Sequence, residues 1–291
     1  MDKEKILKAG AIAKQVKDFA RSIIIKNASL LEIAERIENK IIELKGKPAF
    51  PVNLSINEIA AHYTPSYNDE AKASGLIKID FGVHINGWTA DTAFSVDLEN
   101  TSENKNLIEA AETALQNASE IIKAGVKASE IGTVIQETIE SFGVNPIINL
   151  SGHQMMQYEL HAGNTIPNIN DNRASIITPG LYAIEPFASN GSGKVHDGKP
   201  SGIYMLQDSR TPRSEIAREI LNYIVKEYNT LPFCSRWLIK KFGTKALIGL
   251  KQLEESGQLH HFSQLVENPE SIVAQAENTF LVEDKVVVTT E

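Results

Sequence analysis

Residues 76–96 read LIKIDFGVHINGWTADTAFSV, and this stretch carries the strongest structural signal in the chain. β-Branched and aromatic residues lie on both sides of Asn86-Gly87. This dipeptide favours the left-handed backbone of a two-residue turn, and alternating apolar residues around it are typical of a β-hairpin. We therefore expect two antiparallel strands that are joined at Asn86-Gly87.

Two aspartates lie on this hairpin. Pairing outward from the turn places Gly82 opposite Asp91 and Asp80 opposite Ala93. Because side chains alternate along a strand, Asp80 and Asp91 share one face as diagonal neighbours, with backbones roughly 7–8 Å apart at most. Two carboxylates this close in an apolar setting repel each other unless a cation lies between them. Taken alone, a pair of hairpin aspartates is more often a solvated face.

Three further residues extend the set of candidate metal ligands. His153 follows Ser151-Gly152, Glu185 is expected inside the apolar strand LYAIEPF, and Glu277 precedes the apolar run TFLV. A glutamate in a buried strand is costly unless it is paired or binds a metal, although either one alone also fits a strand edge. Together with the two aspartates, these side chains suit Mn, Fe, Co or Zn.

Helical periodicity dominates much of the remaining chain. We expect helices at 3–24, 29–44, 103–124 and 129–142, with Ser29 and Glu32 forming a capping box and Gly46 ending the second helix. Strands are expected at 145–150 and 181–188, and a closing pair at 279–282 and 285–289 is separated by Glu283-Asp284. The segment at about 208–266 differs from its surroundings and predicts three short helices, the second opened by Pro232. The fold class is therefore α+β with a helical insert.

Composition limits the possible functions. The chain has 291 residues, a net charge of -8 and one cysteine, Cys234. A disulfide framework and a Cys-rich zinc module are therefore excluded, and the acidic balance gives no strong nucleic-acid signal. The N-terminus is charged, and no stretch of ~20 apolar residues could span a bilayer. These features predict a cytoplasmic protein that does not act at a membrane.

Five segments, in order along the chain, resemble the type II methionine aminopeptidases. They are AFPVNLSINEIAAHYTP (49–65), KIDFGVHINGWTADTAFSV (78–96), NLSGHQMMQYELHAG (149–163), YAIEPFAS (182–189) and AQAENTFLV (274–282). The resemblance implies the pita-bread (creatinase/aminopeptidase-like) fold, in which two pseudo-symmetric halves enclose a curved antiparallel sheet. It also implies one catalytic domain over 1–291, with the helical insert at about 208–266 that type II enzymes carry.

The resemblance implies specific roles for these residues. Asp80 would chelate one metal, His153 and Glu185 would bind the second, and Asp91 and Glu277 would bridge both. His62 and His161 match histidines that contact the substrate and take part in catalysis, Phe50 matches a residue of the methionine pocket, and Glu185 would also carry a proton. The cofactors would be two divalent ions (Co, Mn, Fe or Zn).

The activity implied is removal of the N-terminal methionine from proteins and peptides with a small second residue, by a hydroxide that bridges the metals. The partners would be the N-termini of nascent proteins or peptides, and the enzyme is expected to be a monomer. Two positions depart from the family pattern: Asn278 stands where many relatives have His, and Gln154 where Gly or Ser is commoner. Neither is a ligand position, so they bear on metal preference and rate.

Two alternatives share this fold. An X-Pro aminopeptidase or prolidase would use the same five ligands, but such enzymes usually carry a large domain for which the short stretch before Asp80 leaves no room. A non-catalytic pita-bread binding protein would be expected to lose ligands, whereas all five candidates here have metal-binding side chains. His84 shares the strand face of Asp80, but an exposed histidine of the hairpin is the simpler interpretation.

Overall fold

The computed structural model describes all 291 residues. The seven helices are α1 (Lys3–Ile23), α2 (Leu30–Glu43), α3 (Ser102–Ile121), α4 (Ala128–Ser141), α5 (Glu215–Glu227), α6 (Ser235–Phe242) and α7 (Lys245–Glu255). The strands of the N-terminal part are β1 (Lys47–Pro48), β2 (Asn53–Ile56), β3 (Ile59–Ala61), β4 (Leu76–Ile85) and β5 (Trp88–Asp97).

The strands that follow α4 are shorter and more numerous. They are β6 (Asn145–Pro146), β7 (Ser151–Met155), β8 (Thr165–Pro167), β9 (Gly180–Ile184), β10 (Phe187–Ser189), β11 (His196–Leu206), β12 (Phe233–Cys234), β13 (Leu259–Val266), β14 (Val273–Gln275), β15 (Asn278–Val282) and β16 (Val286–Val288). The fold therefore mixes helices and strands, as an α+β chain should.

One arrangement occurs twice along the chain. In the first half, the apolar faces of α1 and α2 pack on a sheet built from β4 with β1, β2 and β5. In the second half, α3 and α4 pack on a five-stranded sheet in the order β16-β15-β9-β7-β8. Each half has its own core of 21 buried hydrophobic residues. All pairings between these strands are antiparallel.

The hairpin of β4 and β5 has the register that the sequence predicts. Asp80 is paired with Ala93, and Gly82 is paired with Asp91. The turn residues have positive φ angles, 50° at Asn86 and 82° at Gly87, as a two-residue turn of this type requires. The unbroken ladder on both sides of the turn fixes which hairpin side chains share a face.

The two halves meet at the residue before β15. The main-chain N–H of Glu277 donates to the carbonyl of Ala93 at 3.0 Å, and the N–H of Ala93 donates back to Glu277 at 3.3 Å. The hydroxyl of Thr92 also donates to the carbonyl of Glu277 at 2.9 Å. A strand of the first half is thereby joined to the strand segment that carries a candidate ligand in the second half.

Helix α2 begins as predicted but ends differently. The Ser29 side chain accepts from the N–H of Glu32 at 3.3 Å. At the other end, the left-handed backbone that ends the helix is at Lys45, with φ of 68°, one residue before the predicted Gly46. A Cβ at Gly46 would lie 2.8 Å from Cγ1 of Val83, so this glycine permits close packing of the chain against β4.

The predicted insert contains three helices, with a correction at the start of the second. Helices α5, α6 and α7 surround a separate core of 11 buried residues. Pro232 does not open a helix, because the buried Phe233 and Cys234 that follow it pair with Tyr204 and Ile203 of β11. Helix α6 begins only at Ser235. Cys234 is a free, buried thiol.

Two predicted strands are interrupted in the structure. Within 145–150 only Asn145–Pro146 form a strand, because the chain then turns away and Ile148 donates to the carbonyl of Gly193. Within 181–188 the ladder stops at Ile184 and resumes at Phe187.

None of the helices has both the length and the apolar composition that crossing a membrane requires.

Candidate metal centre and active site

The five candidate ligands converge from both halves. Asp80 and Asp91 lie on β4 and β5, His153 on β7, Glu185 directly after β9, and Glu277 between β14 and β15. All five line one cavity of about 230 Å³. The same cavity is lined by the three other residues that the family resemblance singled out, which are Phe50, His62 and His161.

Glu185 is not inside a strand, as the sequence had suggested, but in a break between two strands. Strand β9 ends at Ile184 and β10 begins at Phe187. Pro186 has no N–H to continue a ladder, while its carbonyl accepts from Ala276 at 3.2 Å. The break frees the Glu185 carboxylate to reach His153 on one side and Gln275 on the other.

The ligand atoms are within reach of shared metal ions. Nε2 of His153 lies 3.5 Å from Oε1 of Glu185 and 3.8 Å from Oδ2 of Asp91. One ligand atom each from Asp91, His153 and Glu277 lie within 4.8 Å of one another. Atoms at these separations are too far apart for strong mutual hydrogen bonds. They are close enough to coordinate the same ion at about 2.0–2.2 Å each.

The carboxylates cannot all be ionised without a counter-charge. Burial raises the pKa of Asp80 to about 7. Burial, followed by repulsion from Asp80, raises the pKa of Asp91 well above its usual range. The pKa values of Glu185 and Glu277 rise for the same two reasons. Burial and the neighbouring His161 lower the pKa of His153 far below its usual range, so the imidazole is neutral and brings no positive charge.

Several buried polar atoms in the cavity have no protein partner. They include Oδ1 of Asp80 and Oδ1 of Asp91. Buried polar atoms without partners are rare in native proteins and indicate an ion or water that satisfies them. Carboxylate oxygens with one imidazole nitrogen are the donors that Mn, Fe, Co and Zn accept. The residues present therefore fit divalent metal ions.

Gln275 belongs to the site and was missed in the sequence. Its side-chain amide donates to Oε2 of Glu185 at 3.4 Å, and the nearby amide partly offsets the rise in the pKa of Asp80 that burial causes. Gln275 is 1% exposed. The signal that could have found it is its spacing, because it stands two residues before Glu277 in a strand-like segment, where side chains share a face.

Two histidines that are not candidate ligands also line the cavity. The rings of His161 and His153 meet edge to face, with centroids 4.3 Å apart. Nδ1 of His62 lies 3.2 Å from the carbonyl oxygen of Ser263, and its ring packs against Phe262. Burial lowers the pKa of His62 to about 4 and also lowers that of His161. Both rings are therefore neutral at pH 7.

Phe50 forms an apolar wall beside the carboxylates. It is buried in a small cluster with Leu160 and Met155. Gly82, which faces Asp91 across the hairpin, makes room for it, because a Cβ there would lie 2.5 Å from Cε1 of Phe50. The cavity thus has a charged face and an apolar face.

Three other positions lie outside the cavity. His84 is at the far end of the hairpin, where Nδ1 accepts from the N–H of Gly87 at 2.9 Å. It is buried, contrary to the expectation of an exposed histidine. Asn278 lies on the opposite strand face from Glu277 and donates to Glu291 at 2.5 Å. Oε1 of Gln154 lies 3.5 Å from the N–H of Asn164. Neither of the two departures from the family pattern lines the cavity.

Comparison with known proteins identifies the family to which this chain is similar. Residues 4–289 match the family model described as metallopeptidase family M24. A methionine aminopeptidase of Pyrococcus abyssi is 47% identical over 298 aligned positions, which cover 100% of both chains.

Solved structures share the fold. The methionine aminopeptidase of Thermotoga maritima has a TM-score of 0.71 at 22% identity, covering 99% of this chain and 96% of its own. A thermophilic Arx1 has a TM-score of 0.85 at 16% identity, covering 98% and 89%. The pita-bread fold that the sequence predicted is confirmed. The chain therefore belongs to metallopeptidase family M24 and, within it, to the type II methionine aminopeptidases.

Proposed function

We propose that this chain removes the N-terminal methionine from proteins and peptides in a metal-dependent hydrolysis. The observation that carries the proposal is the single cavity in which five metal-binding side chains, two neutral histidines and an apolar wall meet. The full-length similarity to a methionine aminopeptidase of Pyrococcus abyssi supports the same activity.

Membership of family M24 implies the use of divalent metal. We propose two ions: Asp80 and Asp91 would hold one, His153 and Glu185 the other, with Asp91 and Glu277 shared between them. When bound, such ions would lower the pKa of a water toward neutrality and polarise the scissile carbonyl. Mn, Fe, Co and Zn all suit these donors.

The residues of the chain would position the substrate and move its protons. His161 is neutral, so a ring N–H can donate to the carbonyl oxygen as negative charge develops there. His62 is also neutral and donates its one ring proton, from Nδ1, to the carbonyl of Ser263, so its Nε2 can accept a proton or hydrogen bond from the substrate. Glu185 is the proposed proton carrier, because its carboxylate lies among the other candidate ligands in the cavity. At this place a carboxylate can accept a proton from the attacking water and pass it to the leaving amine.

The apolar wall would hold the methionine side chain. Phe50 and Leu160 offer an apolar surface on the side of the cavity next to Gly82. The carboxylates beside it favour a free α-amine, so a blocked N-terminus would not be bound. We also propose a preference for a small second residue in this cavity.

We propose that residues 1–291 form one catalytic domain, in which the insert at about 208–266 completes the pocket. Pro232, Phe262 and Leu265 of this segment line the cavity. The insert is attached to α2 through a buried ion pair, in which Arg236 donates to both oxygens of Glu38 at 2.7 and 2.8 Å. Arg236 also donates to the carbonyl of Pro65, three residues after His62, at 3.0 Å.

The proposed partners are the N-termini of nascent proteins and peptides, processed by a monomer in the cytoplasm. The test compares four peptides with the metal-loaded protein: Met-Ala-Ser, its N-acetylated form, Met-Trp-Ser and Ala-Pro-Ser. We expect rapid methionine release from Met-Ala-Ser alone. Cleavage of Ala-Pro-Ser instead would indicate the X-Pro specificity. A folded, metal-loaded protein that cleaves none of them would indicate a binding protein.

A further inference from the structure

Lys78 is the largest charged side chain that is fully buried, at 1% exposure, and the proposed reaction does not use it. Its Nζ donates to two main-chain carbonyl oxygens, that of Asn57 at 2.9 Å and that of Val273 at 2.7 Å. Burying an amine of this kind is costly unless it is well hydrogen-bonded. These two bonds link Lys78 to two segments that are far apart in the sequence.

The two acceptors belong to segments that lead to the active site. Asn57 lies in the turn between β2 and β3, and His62 directly follows β3. Val273 begins β14, which carries Gln275 and leads to Glu277. The N–H of Val273 also donates to the carbonyl of Asn57 at 3.1 Å. Lys78 therefore joins β14, which carries Gln275 and leads to Glu277, to the turn that precedes β3 and His62.

Strand β14 has no main-chain ladder with the hairpin of Asp80 and Asp91, since it pairs with β10. Side chains of the hairpin connect it to β14 instead. Lys78 bonds Val273. Ser95, which is opposite Lys78 in the hairpin, donates to the carbonyl of Gln275 at 2.8 Å and accepts from its N–H at 2.9 Å.

The main chain of Glu277 then pairs with Ala93, which is opposite Asp80. The segment 273–277 is thus attached to the hairpin at every second residue. Lys78 provides the first attachment, and Ala93 provides the last.

We propose that Lys78 is a positioning residue that sets the distance between the hairpin aspartates and the segment of Gln275 and Glu277. The inference rests on the proposed function, because that distance matters only if Asp80, Asp91 and Glu277 bind the same metal centre. Metal ligands need placement to within about 0.5 Å. Loss of an outer contact that orients ligands typically costs 10–100-fold in metal affinity.

The test is the affinity of the metal-stripped, full-length protein for Mn²⁺, measured by calorimetry without substrate. Lys78→Met keeps an unbranched apolar side chain, one atom shorter, and removes the donor. Lys78→Gln, which keeps a shorter donor, serves if Lys78→Met does not fold. The matched control is Ile135→Ala, which destabilises the buried core of the second half without touching the site.

We expect Mn²⁺ affinity to fall at least tenfold in Lys78→Met and by a smaller factor in Lys78→Gln. Ile135→Ala should bind Mn²⁺ as the wild type does, although its unfolding temperature should be lower than that of the wild type. Wild-type affinity in both Lys78 variants, or an equal loss in Ile135→Ala, would overturn the proposal. Failure of the proposed function would appear separately, as a wild-type protein that binds Mn²⁺ but releases no methionine.

Discussion

Nε2 of His153 lies 3.5 Å from Oε1 of Glu185; the His153 side chain is buried and that of Glu185 is 15% exposed. A histidine and a glutamate at this distance could form an ion pair, but here burial opposes both charges. The pKa of His153 is lowered and that of Glu185 is raised. The pair is therefore a neutral imidazole beside a carboxylate that lacks a counter-charge, which is a pair of ligands for a cation.

Asp91→Asn should make the metal-free protein more stable while it abolishes tight metal binding. Asp91 is buried near Asp80, and both burial and repulsion raise its pKa. An amide removes that repulsion but is a poor ligand for these metals. We expect a rise of roughly 1–2 kcal/mol in the free energy of unfolding of the metal-stripped protein, by analogy with other buried charges. Urea denaturation with and without Mn²⁺ measures both effects.

Asp284→Asn is the control for that comparison, since Asp284 is exposed in the turn between β15 and β16. It should change neither the stability of the metal-free protein nor the binding of Mn²⁺. If Asp91→Asn destabilised the metal-free protein, the argument from carboxylate repulsion would be wrong.

Gly82→Ala should weaken binding of methionine more than it slows the reaction. A Cβ at this position would lie 2.5 Å from Cε1 of Phe50 and 2.9 Å from Cβ of Ala49. Phe50 must therefore move into the cavity or the hairpin must shift, at a cost of about 1–3 kcal/mol in stability. We expect KM for Met-Ala-Ser to rise roughly tenfold, the equivalent of about 1.4 kcal/mol. An unchanged KM would show that Phe50 does not contact the methionine side chain.

His62→Ala should reduce turnover without weakening metal binding. The ring of His62 is oriented by the carbonyl of Ser263 and by Phe262, and it does not belong to the cluster of ligands. The Nδ1 proton of His62 is bound by Ser263, so Nε2 is a positioned acceptor for a substrate proton, and loss of such a group costs on the order of 100-fold or more in kcat. Steady-state kinetics at saturating metal, together with Mn²⁺ calorimetry, separate the two properties. Equal loss in both would instead make His62 part of the metal site.

Because His84 is buried, the free energy of unfolding should decrease as the pH falls from about 6.5 to about 4. Burial lowers the pKa of His84 to about 4, whereas an unfolded histidine has a pKa of about 6.5. Between these values the unfolded chain binds a proton that the folded chain does not, so acid favours unfolding. His84→Asn keeps an acceptor for the N–H of Gly87 without this titration.

The wild type should therefore lose up to about 3 kcal/mol relative to His84→Asn over this range. Urea unfolding of both proteins at pH 7, 5.5 and 4.5 measures the difference. A constant difference across these pH values would contradict the prediction.

The hairpin was predictable from the sequence because its geometry is local. Asn86-Gly87 determines the turn, and the turn determines that Gly82 is opposite Asp91. The helices were predictable for the same reason, from apolar periodicity and from the Ser29 cap. The convergence of His153, Glu185 and Glu277 on that hairpin depends on how the halves pack. From the sequence, this convergence could be inferred only through the family resemblance.

Other features could not be predicted because they arise from tertiary contacts. The break at Glu185 follows from Pro186 but also needs the contact with Ala276. Lys78 looks like an ordinary polar residue of a strand, and only the packing of β14 on the hairpin gives it partners. The spacing of Gln275 from Glu277 indicates a shared strand face, but not the contact with Glu185. Phe233 and Cys234 were expected in a helix and pair with β11 instead.

The most direct test of the account is methionine release from Met-Ala-Ser by the metal-stripped protein, with Mn, Fe, Co or Zn added back in turn and bound metal counted for each chain. We predict no release without metal, recovery that saturates at two ions per chain, and no recovery in Asp91→Ala. Full release from the metal-stripped protein, or undiminished metal-dependent release by Asp91→Ala, would contradict the assignment of this cavity as a metal-dependent active site.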